Sequence, residues 1–98
     1  MERDNFQTKV VFRKYRNGNI IALFPEIPAA FGEVASYTHI NGHGGSHYKL
    51  VMNSTKSATE AEYMPLFNEL VAKYGYQLDV RKKMKVNPKM WALTADNF

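Results

Sequence analysis

The strongest constraint on the fold is a turn near the N-terminus. Asn17-Gly18 separates two runs that are rich in β-branched and aromatic residues, Thr8 to Tyr15 and Asn19 to Phe24. Asn-Gly accommodates positive φ at both central positions of a two-residue turn, and that geometry matches the twist of paired strands. We therefore predict an antiparallel hairpin over these residues.

The second strand of this hairpin is apolar on both faces. Ile20 to Phe24 contains no polar side chain, so the strand is either central and covered twice or presents an apolar face to a partner. Pro25-Glu26-Ile27-Pro28 is expected to end the strand after Phe24, because proline cannot donate to the hydrogen-bond ladder.

A second hairpin is expected further along the chain. Val34 to Ile40 and Tyr48 to Asn53 have strand character, and residues 41–46 join them. Gly42, Gly44 and Gly45 would be costly inside a regular element, so the joining segment is predicted to be a turn or a binding loop.

The helix is marked at both ends. Thr59 and Glu62 have the spacing of a capping box, and Gly75 stands where a left-handed cap is expected. Apolar residues between them form a single stripe: Tyr63, Leu66, Phe67, Leu70, Val71 and Tyr74. Pro65 is discordant, so either the first turn is bent or the regular helix begins near Pro65.

Together these elements predict an α+β fold. After the helix, Tyr76, Leu78 and Val80 alternate with polar residues and predict a final strand. The sheet is then antiparallel-dominated, with about five strands (two hairpins plus the C-terminal strand) and one amphipathic helix on one face. With 98 residues, the chain is expected to form one domain over residues 1–83, followed by a basic and aromatic arm over residues 84–98.

The arm has two interpretations. It is a frayed terminus, or its large apolar side chains dock on another subunit or another face of the same chain. The side chains that favour docking are Met90, Trp91 and Phe98.

The net charge of +4 comes from this C-terminal part of the chain. Residues 1–80 carry eight basic and eight acidic side chains, whereas residues 81–98 carry five basic ones and a single acid. A basic run of this kind more often solvates a surface than binds a partner, and binding of an anion is the alternative interpretation. The same two interpretations apply to a separate local cluster on the first hairpin, which consists of Lys9, Arg13, Lys14 and Arg16.

Composition excludes several classes of protein. There is no cysteine, which excludes disulfides, thiolate nucleophiles and cysteine-based metal sites. The longest apolar run is far shorter than the ~20 residues that a membrane helix requires. The charged N-terminus does not resemble a secretory signal, so a cytoplasmic protein without a membrane partner is expected.

All three histidines lie in one glycine-containing segment, residues 36–48. Four interpretations stay open: a metal site with His39 and His47 facing each other and His43 at the tip, an anion-binding loop, a Ser-His catalytic pair, and a plain hairpin with surface histidines. No acidic residue lies nearby in sequence to orient a histidine, so neither an enzyme nor a metal or other cofactor is expected. The candidate ligand contacts are Arg13, Arg16, Tyr37, His39, His43, Gly44, Gly45, His47 and Tyr48.

Several segments, taken in order, resemble a family of small proteins from bacteriophages and mobile elements of gut bacteria. The resemblance covers roughly residues 8–83, and Ser36-Tyr37-Thr38-His39 with His43-Gly44 is its most specific part. The family has no assigned activity, so the resemblance implies context alone, namely an accessory factor that acts on host molecules.

Three functions follow as hypotheses. The leading one is a non-enzymatic, homo-oligomeric phage accessory protein that binds an anionic, nucleotide-derived immune signal. A nucleic-acid-binding accessory protein that uses residues 81–85 is the first alternative. An interaction module that inhibits a host protein through the arm or a sheet edge is the second.

Overall fold

A computed structural model describes residues 7–91. Six strands and two helices follow one another in this order: β1 (Thr8–Tyr15), β2 (Ile20–Pro28), β3 (Glu33–Thr38), β4 (Gly42–His47), α1 (Tyr48–Ser54), β5 (Thr55–Ser57), α2 (Glu60–Tyr74) and β6 (Leu78–Arg81). A further helical turn covers residues 89–91. No helix within residues 7–91 is long and apolar enough to cross a membrane.

The strands form one mixed sheet in the order β4-β3-β2-β1-β5. β6 also pairs with β1, in parallel, beside Thr8 to Val11, while β5 pairs antiparallel with Arg13 to Tyr15. The other strand pairs are antiparallel. The predicted α+β class with an antiparallel-dominated sheet is confirmed.

The first hairpin forms, but its turn and its second strand differ from the prediction. The Tyr15 N–H donates to the Asn19 carbonyl, so the loop has three residues (16–18) rather than two, and Gly18 has a positive φ of 95° whereas Asn17 does not.

β2 continues through Pro25 to Pro28, so the expected end of the strand at Phe24, before Pro25-Glu26-Ile27-Pro28, is wrong. The register with β3 shifts between Phe24 and Pro28. Such an irregularity accommodates a residue that cannot donate to the ladder.

The glycine-containing segment is the main correction. Gly42–His47 is a strand whose six residues all pair with β3, and Tyr48–Ser54 is a helix rather than the predicted fourth strand. Close packing explains the glycine at position 45, because a Cβ there would lie 2.8 Å from Glu33 Oε1 and 2.9 Å from Ala29 Cβ. The local cost of glycine in a strand is overridden by pairing and packing.

The main helix has both predicted caps. Thr59 and Glu62 form the capping box, and Gly75 adopts a left-handed conformation with φ of 71°. Helix α2 starts well before Pro65 and includes it, so the alternative start near Pro65 is wrong. Both Ala61 and Pro65 are exposed, so water can satisfy the Ala61 carbonyl, to which proline cannot donate.

Apolar side chains fill both faces of the sheet. Phe12, Ala22 and Phe24 pack with Leu66 and Leu70 of α2 on one face, which we call the helix face. Val11, Ile21 and Leu23 pack with α1 and with residues from the C-terminal segment on the other, which we call the back face; those residues are Met84, Val86, Met90 and Trp91. β2 is therefore covered twice within its own chain.

Trp91 is only 6% exposed in this back-face core. Its indole N–H donates to the Glu33 carbonyl at 3.0 Å. Up to this residue the C-terminal segment packs on its own chain. Phe98, the other aromatic anchor predicted for the arm, lies outside the described residues.

Candidate functional site

A polar network joins the sheet to helix α2 on the helix face. The Tyr37 hydroxyl donates to one carboxylate oxygen of Glu69, and His39 Nδ1 lies 2.6 Å from the other. Lys73 Nζ is 3.9 Å from the same carboxylate. Tyr37 is buried, whereas the His39 side chain is 78% exposed. The network therefore runs from the core to solvent.

The Tyr37–Glu69 hydrogen bond shifts the pKa values of its two groups in opposite directions. Hydrogen bonds from Tyr37 and His39 lower the pKa of the Glu69 carboxyl below its usual value. The Glu69 carboxylate, with burial, raises the pKa of the Tyr37 hydroxyl well above its usual value. At neutral pH the pair is an ionised carboxylate and a neutral phenol, which is the arrangement of a fixed structural hydrogen bond.

His43 sits beside this network in a group of aromatic rings. Its ring centroid lies 4.8 Å from that of Tyr37 and 4.7 Å from that of Tyr74, both edge to face. Nε2 is 2.8 Å from the Tyr76 hydroxyl. His43 is therefore held by β3, α2 and the segment after it.

The three histidines do not converge on one point. His43 opposes Tyr37 and His47 opposes Glu33 across the β3–β4 ladder, while His39 lies beyond the end of β3. The predicted arrangement, with His39 opposite His47 and His43 at the tip, is wrong. No group of three or more metal-ligating side chains within residues 7–91 is placed to hold an ion.

A groove of about 570 Å³ lies over the paired ends of the two hairpins, and we call it the β4 groove. Among the described residues, no Lys, Arg, Asp or Glu side chain lines it. Its walls are mixed polar and apolar: Tyr15, Asn17, Asn19, Ile20, Ile21, Ser36, Thr38, His39, Ile40, Asn41, Gly42, His43, Gly44, Gly45 and Ser46. This lining supplies hydrogen bonds and apolar contact without a permanent charge.

A second groove, of about 260 Å³, is strongly basic, and we call it the basic groove. Its lining consists of Lys9, Pro25, Glu26, Arg81, Lys82, Lys83 and Lys85. Lys9 pairs with Glu26 at 2.9 Å, and Arg81 pairs with Asp79 at 2.8 Å. Among residues 7–91 no carboxylate pairs with the three other lysines, which are all exposed. They are available to a bound anion.

The basic residues of the first hairpin lie along the same edge of the sheet, with Arg13 in contact with α1 on the back face and Lys14 with Glu62 of α2 on the helix face. Lys14, Arg16 and Lys56 line a cleft of about 430 Å³ beside β5. β5 and β6 flank the same edge of β1, at Arg13 to Tyr15 and at Thr8 to Val11. The two charge clusters that are separate in sequence therefore share one edge of the fold.

Arg13, a predicted ligand contact, is engaged inside the protein. Its guanidinium donates to the carbonyls of Met52 (3.2 Å) and Thr55 (2.6 Å) at the end of α1. It also donates to the hydroxyls of Thr55 and Ser57. Cations near a helix C-terminus are stabilising, and this one fastens α1 and β5 to β1.

The other predicted site residues are divided between the two faces. Tyr48 stacks on Trp91 in the back-face core with ring centroids 5.9 Å apart. Tyr37, His39 and His43 join the Glu69 network, Gly44 and Gly45 lie in β4, and Arg16 lies in the cleft beside β5. His47 ends β4, near Gly32.

Glu69 is the site residue that the sequence did not predict. The histidines have no acidic neighbour in sequence, but α2 supplies one that is distant in the chain and lies 2.6 Å from His39. Glu69 lies next to the apolar stripe of the helix, and this position was the signal in the sequence that Glu69 could face the sheet. Comparisons with protein-family models, with curated proteins and with solved structures give no match.

Proposed function

We propose that the protein is a non-enzymatic nucleic-acid-binding protein, with the basic groove as its principal contact to phosphates. One observation carries the proposal. Lys82, Lys83 and Lys85 converge on this groove with Lys9 and Arg81, and no carboxylate of residues 7–91 neutralises the three. Lysine side chains that neutralise phosphates release condensed counterions, which is the main source of sequence-independent affinity.

Groove size favours a polymer over a compact ligand. Sites that enclose small organic molecules have volumes of ~300–1,000 Å³, and the basic groove has about 260 Å³. A phosphate fits this space while the rest of the ligand extends along the protein surface. The cleft that contains Arg16 and Lys56, at the other end of the same edge, offers a second contact to such an extended polyanion.

The distance between the two basic sites supports this proposal. Lys9 and Lys14 are five residues apart on β1, so at roughly 3.3 Å per residue their Cα atoms are about 17 Å apart, and their side chains leave the strand on opposite faces of the same sheet edge. A polymer with regularly spaced phosphates spans that distance. The accessory role in bacteriophages that the sequence resemblance implies is compatible with this function and stays a prediction.

The test is the salt dependence of binding to a fluorescently labelled oligonucleotide, measured by anisotropy from 50 to 200 mM salt. Each phosphate contact contributes about −0.9 to the slope of log K against log salt. The double variant Lys82→Gln/Lys83→Gln is expected to lose about two phosphate contacts. Its slope of log K against log salt should therefore be less steep than that of the wild type by about 2. The control Lys49→Gln/Lys73→Gln removes the same charge elsewhere and is expected to keep the wild-type slope.

Two results would overturn the proposal. One is an absence of binding to both single-stranded and duplex oligonucleotides at 50 mM salt. The other is an equal loss of slope in both double variants, because net charge rather than the basic groove would then explain the affinity.

The β4 groove supports a second candidate function. Its volume of about 570 Å³ lies in the range of small-molecule sites, and it includes the predicted contacts His39, His43, Gly44 and Gly45. We propose, as the second candidate, that this groove holds the nucleoside part of a nucleotide-derived signal. Calorimetric titration with cyclic dinucleotides and ADP-ribose derivatives tests it, and no heat at high protein concentration would exclude these ligands.

A further inference from the structure

We propose that β4 is the interface through which two copies of this chain pair edge to edge. β4 stands at one end of the sheet, and among residues 7–91 no strand lies beyond it. Its six residues pair continuously with β3, from Thr38 opposite Gly42 to Glu33 opposite His47. The outer backbone groups therefore form a regular row that can accept another strand.

β4 lacks the features that normally protect an edge strand. Native edges are protected by charged side chains, proline, bulges or a covering element. Gly42–His47 contains no Lys, Arg, Asp, Glu or Pro, and its register with β3 has no irregularity. By contrast, Lys56 and Arg81 occupy the strands at the opposite edge of the sheet.

Exposed apolar side chains are concentrated near the two ends of β4. Ile40, in the turn before β4, is 79% exposed, and Leu50, in the helix after it, is 63% exposed. Phe31 is 84% exposed and lies next to Gly32, where a Cβ would be 3.5 Å from the His47 ring. These are the three most exposed large apolar side chains of the described residues, and contact with a partner would bury them.

A second copy is the partner that this edge fits. Two antiparallel copies of β4 are related by a two-fold axis perpendicular to the sheet, which is the isologous arrangement of most homodimers. The axis passes near Gly44 or Gly45, and self-pairing there opposes no like charges because the strand has none.

The same geometry provides the test. A Cβ added at Gly44 would meet no part of residues 7–91 within 4 Å, its chain neighbours apart, and the φ of Gly44 is not positive, so a side chain is tolerated in the single chain. Either position of the two-fold axis places the two copies of residue 44 on the same face, directly opposite or as diagonal neighbours at about 5–8 Å. Like charges introduced there repel across the interface, and opposite charges attract.

Light scattering of the full chain is expected to give twice 11.3 kDa. Gly44→Lys is expected to be monomeric, with far-ultraviolet circular dichroism unchanged. Gly44→Ala and Asn68→Lys are the controls, one for the added side chain and the other for the added charge on an exposed helix position, and both are expected to stay dimeric. An equimolar mixture of Gly44→Lys and Gly44→Asp is expected to regain the dimer mass.

The proposal is overturned if the wild-type chain is monomeric up to 1 mM, roughly the weak limit of measurable association. It is also overturned if the wild-type chain is dimeric and Gly44→Lys keeps that mass. If Gly44→Lys does not fold, Gly44→Asp takes its place: the proposal requires this variant to be monomeric at neutral pH, and a Gly44→Asp chain that keeps the dimer mass overturns it. None of these results depends on nucleic-acid binding.

Discussion

The buried hydroxyl of Tyr37 donates to the carboxylate of Glu69, and this bond connects the third strand to the main helix. Tyr37 is 1% exposed, and its ring also meets those of His43 and Tyr74. A buried polar group needs such a partner, because an unsatisfied donor or acceptor retains its full desolvation penalty. The bond therefore fixes the helix position relative to the strand.

Tyr37→Phe is expected to destabilise the protein, because Glu69 then loses a charge-assisted hydrogen bond in a partly buried position. The measurement is the midpoint of urea unfolding at pH 7. Tyr63→Phe is the matched control: its ring stacks on Phe12 with centroids 4.4 Å apart, and that packing survives the substitution. Equal midpoints for the two variants would show that the Tyr37 hydroxyl contributes nothing.

Stability is expected to fall at acidic pH because of the Lys14–Glu62 pair, whose atoms lie 2.5 Å apart. The Lys14 hydrogen bond, assisted by the Thr59 backbone, lowers the pKa of Glu62 from 4.5 to about 2. A carboxyl with a lowered folded-state pKa stabilises the fold above its unfolded-state pKa, and the stabilisation is lost as pH falls toward the folded-state value. The affected window is therefore pH 4.5 to about 2.

Glu62→Gln tests this pH dependence, because glutamine retains the capping-box bond but cannot form the ion pair. Between pH 4.5 and 2 the variant should lose less stability than the wild type, measured by denaturant unfolding at each pH. Some dependence should persist, since hydrogen bonds and ion pairing also lower the pKa values of Glu69 and Asp79. Glu60→Gln, an exposed position in the same turn, should keep the wild-type profile.

Gly75→Ala is expected to cost about 1 kcal/mol, because Gly75 ends α2 with φ of 71° and alanine is disfavoured in that region. Gly44→Ala is the matched comparison: its φ is not positive and space is open around it. Thermal unfolding of both variants should show a lower Tm for Gly75→Ala alone. A Tm loss in Gly44→Ala of similar size would contradict the assignment of the cost to backbone conformation.

Short sequence motifs predicted those elements whose backbone hydrogen bonds are made between residues close together in the chain. The Asn17-Gly18 turn and the Thr59–Glu62 capping box each satisfy their own backbone within four residues, so both are visible in sequence. Gly42–His47 is different, because pairing with β3 determines its conformation and intrinsic preference does not. Once that segment forms a strand, Tyr48 to Ser54 becomes the crossover to β5 and is helical.

The candidate sites also divide into features that are local in the sequence and features that depend on tertiary contacts. The basic run from Arg81 to Lys85 is contiguous, so its charge was evident in sequence, and the fold adds Lys9 beside it. The Glu69–His39 contact joins residues thirty positions apart and required the tertiary structure. The intramolecular hydrogen bonds of Arg13 also required the tertiary structure, since its carbonyl partners come from the end of α1, which the sequence did not predict.

Arg13→Gln is accordingly expected to lower stability and to leave nucleic-acid affinity nearly unchanged. The guanidinium donates to two carbonyls at the end of α1, and a ligand would have to compete with these hydrogen bonds. Urea unfolding and oligonucleotide anisotropy on the same preparation separate the two effects. Arg16→Gln, in the exposed cleft beside β5, should lower the affinity for the oligonucleotide and leave the stability nearly unchanged. A larger affinity loss in Arg13→Gln than in Arg16→Gln would return Arg13 to the ligand site.

Trp91→Ala is expected to cost about 3–5 kcal/mol, the range for removing a buried large aromatic side chain. Its indole covers the back face of the sheet, stacks on Tyr48 and donates to the Glu33 carbonyl. Trp91→Phe keeps much of the packing and loses that donor, so its stability should lie between those of Trp91→Ala and the wild type. Urea unfolding followed by circular dichroism gives all three values. If Trp91→Ala unfolds at the wild-type midpoint, the C-terminal segment does not contribute to the core, and β2 presents an apolar back face to solvent or to a partner.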